Sequence, residues 1–174
     1  MFTNENARRP SSRLSLLTLL KLFQQLHRFP DPNEVPTAIV DHLRIHLRVG
    51  PSVACDLLEP SQRNRHRNAI REFTGAIAWS AQVRHLAIAT GLKVSLVMAR
   101  LADIANAIIA ELIHAGFELP AFSTLERITK HVRALAQRKV YNNVHRHLSA
   151  AARQVVRSIA HRHLGPTPNR VSGH

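Results

Sequence analysis

The chain has 174 residues, 45% of them hydrophobic, and carries 24 Lys and Arg against 11 Asp and Glu, a formal net charge of +13 with His neutral. That length and apolar content suffice for a buried core in one domain or two small ones, which excludes a wholly disordered basic tail. Aromatic residues make up only 5%, against the interleaved stacking platforms that single-strand binders use. No apolar run is long enough to span a bilayer.

The charge is unevenly placed. No acidic residue follows Glu126, yet ten basic residues do: Arg127, Lys130, Arg133, Arg138, Lys139, Arg146, Arg153, Arg157, Arg162 and Arg170. Such a surface repels itself in isolation and is neutralised beside a polyanion, where each cation displaces a condensed counterion. Nucleic acid is therefore the first partner to expect.

Helical spacing recurs along the chain and strand signals are weak. Residues 1–13 read as a disordered leader. Arg8-Arg9 before a leucine-rich stretch look superficially like a twin-arginine export signal, but Lys21 interrupts the run and no small-residue cleavage site follows. Ser11 or Ser12 is expected to cap a first helix whose face is Leu16, Leu19, Leu20, Phe23 and Leu26. Phe29-Pro30-Asp31-Pro32-Asn33 forms a rigid turn. Pro36 opens a second helix with Ile39, Val40, Leu43 and Leu47 as its stripe, ended by Gly50-Pro51. Cys55, the lone cysteine, permits no internal disulfide, which suits a reducing compartment; without an adjacent base it reads as a small packed residue.

A third helix runs from near Ser61 to Gly75, with Ile70 and Phe73 apolar and Arg63, Arg67 and Arg71 recurring every fourth residue beside Arg65. Like charges stacked this way destabilise a helix, so an anionic group should answer them. Residues 80–115 read as helical with a break at Thr90-Gly91. Ala87, Gly91 and Val97 there suggest a helix-turn-helix, Ala87 at a helix crossing and Gly91 in a left-handed turn. Ser95 would cap its second helix, with the stripe Val97, Leu101, Ile104, Ile108 and Leu112, and present Lys93, Ser95 and Arg100 to a major groove. Ser123 and Glu126 fit a capping box. The helix behind them is expected to turn Leu125, Ile128, Val132, Leu135, Val140, Val144 and Leu148 inward. A last helix covers 150–163, before a disordered tail over 164–174. The expected fold is all-α, about six to seven helices in two helix-turn-helix-like subdomains, 14–75 and 80–163.

Chemistry is sparse. His42 and His46 lie one turn apart, but no third ligand accompanies them in the pattern of a zinc site. The sequence has no phosphate-cradling glycine loop, nucleophile elbow or grouped carboxylates. Neither a cofactor nor a catalytic activity is expected.

Three stretches carry a family resemblance. LFQQLHRFPDPNEVP, from Leu22 to Pro36, resembles a segment near the start of the replicative transposases of the Tn-three family. RHRNAIREFTG, from Arg65 to Gly75, looks like the helix that follows it there, and Leu119-Pro120 with Ser123 to Arg127 resembles the start of a later helix, in the same order. In that family this region is an all-helical N-terminal module that binds the terminal inverted repeats of the transposon. The nuclease domain lies far beyond it, so no catalytic residue carries over.

The resemblance implies double-stranded DNA, at transposon ends, as the partner of a bacterial cytoplasmic protein that is nucleoid-associated when DNA-bound. Arg63, Arg65, Arg67, Arg71, Lys93, Lys130, Arg133, Arg138, Lys139 and Arg146 are the candidate DNA-binding residues. Gln62, Asn64, Asn68 or Arg67 are candidates for base edges. The other reading is a freestanding or remnant interaction protein that regulates a full-length transposase through protein contacts, as a partner or as a homodimer. A membrane-surface role fits less well, because the apolar stripes are needed for a core.

Overall fold

A computed structural model describes residues 7, 9–149, 151–155 and 158–159. The fold is all-α, and the described residues contain no strand, only an isolated parallel bridge between Ile77 and Phe117. The chain divides into two compact units, 1–133 and 134–174.

Helix α1 (Pro10–Leu26) starts one turn earlier than its leucines suggest. Pro10 occupies the first helical position, where a missing amide proton costs nothing, and Arg9 precedes it in extended conformation without a side-chain cap. Ser11 and Ser12 thus lie inside the first turn and do not cap it. The helix buries two sides. Leu16, Leu19, Leu20 and Phe23 join Phe29, Leu57 and Ile70 in one cluster, while Leu14 joins Val40 and Leu43 in another, and Leu17 packs against both. Each such side chain contributes about 1.5–3 kcal/mol when fully buried, so α1 is the centre of this half. Leu26, expected on its inner face, is 41% exposed.

His27 ends α1 in the left-handed region at φ 51°, its amide bonded to Phe23 O. The Phe29 ring then stacks on Phe23 at 4.6 Å between centroids. A 3-10 turn (Pro32–Glu34) follows, in which the Asp31 and Glu34 side chains cap reciprocally and Glu34 also receives Arg28. Helix α2 (Thr37–Leu47) stops at Arg48, which takes φ 53° itself, so Gly50-Pro51 comes after the helix has already ended. Helix α3 (Pro60–Thr74) is capped by the Glu59 carboxylate, which accepts from the Ser61 and Gln62 amides, and closes at Gly75 with φ 71°. Its inward residues are His66 and Ile70; Phe73, expected with Ile70, is 55% exposed.

Helix α4 (Ala81–Val94) corrects the expected break. It runs unbroken through Thr90 and Gly91, capped by Ser80. A Cβ on Gly91 would meet Val132 Cγ2 at 2.9 Å and Ile108 Cδ1 at 3.0 Å. Gly91 is thus a helix-crossing residue, and the close approach explains why a weak helix former sits there. Helix α5 (Leu101–His114) begins after Arg100, not at Ser95. Ser95 follows α4, with its hydroxyl donating to Leu92 O, and Val97 is 84% exposed rather than packed. Ala87 is buried at the crossing as expected. Helix α6 (Phe122–His147) also starts ahead of its anticipated cap: Ala121 O accepts the Leu125 amide, leaving Ser123 inside the first turn.

Val83 and Ala87 of α4, Ile104, Ile108 and Leu112 of α5, and Leu125, Ile128 and Val132 of α6 form one buried cluster. The segment 116–119 ties it to the first half. Ile77 N donates to Gly116 O, Glu118 N to Ile77 O, and Leu119 N to His27 O at 2.7 Å.

Beyond Val132 the expected inward stripe fails: Leu135 is 39% exposed and Val140 and Val144 are each 52% exposed. At about 100° per residue, Lys139, Asn143 and Arg146 share one side of the second unit's part of α6. Val140, Val144 and Leu148 lie on a different side of the helix. Of the expected last helix, 151–155 and 158–159 are helical. The rest of it, the 164–174 tail and residues 1–6 and 8 of the expected 1–13 leader lie outside the described residues, and the end of that leader, from Pro10, is helical.

Candidate nucleic-acid interface

Helix α3 sorts its side chains by periodicity. His66 and Ile70, one turn apart, face the core, and Arg63, Arg67 and Arg71 flank them, each half-buried, while Asn64, Arg65 and Asn68 are exposed. The three arginines are not equivalent. Arg71 has its carboxylate inside the chain: Nε donates to Glu118 Oε2 at 2.8 Å and Nη1 to Asn68 Oδ1 at 2.9 Å. Arg67 and Arg71 both place their guanidinium carbon 5.2 Å from the centre of the Phe29 ring, a favourable contact with its π face.

Arg63 reaches only the Leu57 carbonyl, at 3.4 Å. The Nε of Arg63 and of Arg67 is buried without a hydrogen-bond partner among the described residues. Arg67 is held below the usual arginine pKa, first by burial and then by the charge of Arg63; Glu118 and Asp31 act against the shift, and Arg71 adds to it. Among the described residues, the anionic answer expected for this ladder takes the form of an ion pair at Arg71 alone.

The remaining candidates scatter. Lys93 is exposed on the last turn of α4, not on a second helix led by Ser95. Lys130 pairs with Glu126 at 2.6 Å on the surface of α6, a contact of small energetic weight. Arg133 is half-buried and donates to Met98 O at 3.3 Å. Within the second unit, Arg138, Lys139 and Arg146 are all exposed. Arg138, Asn142 and Arg146 recur every fourth residue, with Lys139 beside them, on one side of α6. Arg138 and Arg146 are about 12 Å apart along the axis, comparable with the width of a major groove. Arg63, Arg65, Arg67, Lys93, Arg133, Arg138, Lys139 and Arg146 make no ion pair among the described residues.

Sequence reasoning missed three residues that shape the α3 face. Phe29 is the platform under the two guanidinium groups, and Glu118 is the acid that fixes one of them. His66 is 1% exposed with its Nε2 3.1 Å from Ser12 Oγ. The four-residue spacing of His66 and Ile70 was the available signal for the last. Nothing local to Glu118 marks its partner 47 residues away.

The rings of His42 and His46 lie 4.2 Å apart, with His46 Nδ1 donating to His42 O. No group of three or more His, Cys, Asp or Glu side chains gathers as metal ligands among the described residues. Cys55 is half-buried and directs its thiol to Thr18 Oγ1 at 3.7 Å. No described helix is long and apolar enough to cross a membrane.

The model of one protein family, a domain of unknown function (DUF4158), matches residues 2–132, and the chain belongs to that family. No curated protein matches it.

Proposed function

We propose that this member of the DUF4158 family is a double-stranded DNA-binding module without catalytic activity of its own. On this reading it resembles the transposase region that recognises the terminal inverted repeats of a transposon. The observation that carries the proposal is the set of cations on α3 and α6 that have no carboxylate partner among the described residues. A duplex backbone neutralises such groups with a gain from released counterions.

In this reading Arg65, Arg138, Lys139 and Arg146 contact phosphates from exposed positions, with Lys93, Lys130 and Arg133 as further contacts. Asn64 is exposed and able to approach base edges, whose hydrogen-bonding patterns amides match, whereas the Asn68 Oδ1 is already taken by Arg71. Arg71, with Glu118 and Asn68 already bound, shapes the face more than it grips the backbone. The test is a footprint on candidate terminal inverted repeats against a scrambled duplex: protection confined to the repeats supports the module, and equal affinity for both removes sequence recognition from it.

One observation favours a protein partner as a second reading. Val140, Tyr141 and Val144 are more than half exposed on α6, and exposed apolar side chains gathered on one helix suit a contact with another chain. That partner would be a full-length transposase or a second copy. A pull-down performed after nuclease digestion separates this contact from one bridged by DNA.

A further inference from the structure

We infer that Arg63 and Arg67 form a built seat for a single phosphate group, taken in the complex from the backbone of a duplex. This inference rests on the DNA-binding reading for the source of the phosphate, but not for the seat itself.

An unanswered charge marks the place. A half-buried cation without a counter-charge is costly. Arg63 and Arg67 stand one turn apart on α3, both half-buried and neither in an ion pair among the described residues. The Nε of each is buried and closed to an ion from solution, so the donors left for a ligand are the other guanidinium nitrogens. The charge of Arg63 acts on Arg67 and adds to the lowering of its pKa. A tetrahedral oxyanion held by both side chains supplies the missing counter-charge, because a guanidinium offers several donors that match its oxygens.

The surroundings hold the guanidinium groups in place. Phe29, stacked on Phe23, supports Arg67 from below. Glu118 is occupied by Arg71, and the Asp31 carboxylate accepts the Glu34 amide in its capping box. The two acids that act on Arg67 are therefore engaged with other groups, and neither makes an ion pair with it. Arg84, exposed on α4, takes no part in the seat and serves as a control.

The test has two arms. In the first, thermal unfolding is followed in inorganic phosphate and in chloride at equal ionic strength. The wild type should melt higher in phosphate, the Arg63→Gln/Arg67→Gln double variant should lose that difference, and Arg84→Gln should keep it. If the double variant does not fold, Arg63→Lys/Arg67→Lys replaces it; that pair retains charge, loses the fork and should lose most of the difference. In the second arm, a duplex is scanned with single uncharged methylphosphonates. One position should weaken the wild type about 10-fold, within what one charge-assisted contact supplies, and leave the variant unaffected.

Equal melting in phosphate and chloride overturns the seat, as does a gain in phosphate that survives in the variants. A phosphate gain specific to Arg63 and Arg67 in a protein that ignores duplex DNA upholds the seat and overturns the DNA-binding reading. Duplex binding with no phosphate gain does the reverse.

Discussion

Arg71 Nε donates to Glu118 Oε2 at 2.8 Å, joining α3 to the segment between α5 and α6 across 47 residues of chain. The pair is three-quarters or more buried on both sides, at 25% and 13% exposure. It sits beside the backbone bonds by which 116–119 grips Ile77 and His27. Glu118→Gln should therefore destabilise the fold by about 1.5–3 kcal/mol, the range for a hydrogen bond to a charged group. Arg71→Gln should do the same while leaving the salt dependence of duplex binding unchanged. Urea unfolding measures the first; a binding titration measures the second. A reduced salt slope in Arg71→Gln would make Arg71 a phosphate contact after all.

Gly91 predicts a graded response. Alanine gains about 0.5–1 kcal/mol of helix propensity but brings a Cβ to 2.9 Å from Val132 Cγ2. Val132 and Ile108 are fully buried and the valine is stiff, so the clash outweighs the gain and Gly91→Ala should destabilise by about 1 kcal/mol. Gly91→Val adds two more methyl groups at the same point and should cost about 1–3 kcal/mol, more than alanine does. Paired denaturation curves decide it; were Gly91→Val neutral, α4 would not cross α5 and α6 at this point.

His66 gives stability a pH dependence. Its folded-state pKa lies below the ordinary 6.5, because burial, and then the charge of Arg65, penalise the imidazolium. The unfolded chain thus binds the proton more readily than the folded one, and stability rises with pH wherever that holds. The contribution is complete above about pH 6.5 and is lost progressively as pH falls from there toward the lowered folded value. Urea midpoints should fall from pH 7.5 to pH 5.5, and less so in His66→Gln. A variant with the wild-type slope would place the titration elsewhere.

Arg138 and Arg146 test the α6 face. Reversing both to Glu should leave helical content intact, since both are exposed, and reduce duplex affinity strongly. Neutralising both with Gln should lower the salt slope by about 1.8, from about 0.9 per phosphate contact. Circular dichroism and fluorescence anisotropy follow the two quantities. An unchanged slope would remove this side of α6 from the interface.

Helix existence was legible in the sequence because burial follows the 3.6-residue period: Val40 and Leu43, or Ile104, Ile108 and Leu112, are inside as their spacing requires. Helix ends were less legible. Pro10 and Ala121 start helices without the polar caps that mark a start, and Arg48 ends one without glycine. Gly91 misled because glycine signals a turn and a close helix crossing equally well, and only the packing against Val132 separates the two. The arginine ladder of α3 was visible as a periodicity. Its division into an anchored Arg71 and an unpaired Arg63 and Arg67 depends on Glu118 and Phe29, which reach it from elsewhere in the chain.

DNA binding by this chain requires unpaired guanidinium and ammonium groups held where a duplex neutralises them. The decisive quantity is the affinity of the purified protein for a duplex between about 50 and 200 mM salt. With 6–10 phosphate contacts, affinity should fall about 10³–10⁵-fold over that range, linearly in logarithmic coordinates. No binding at the lowest salt, or binding indifferent to salt, would rule this function out.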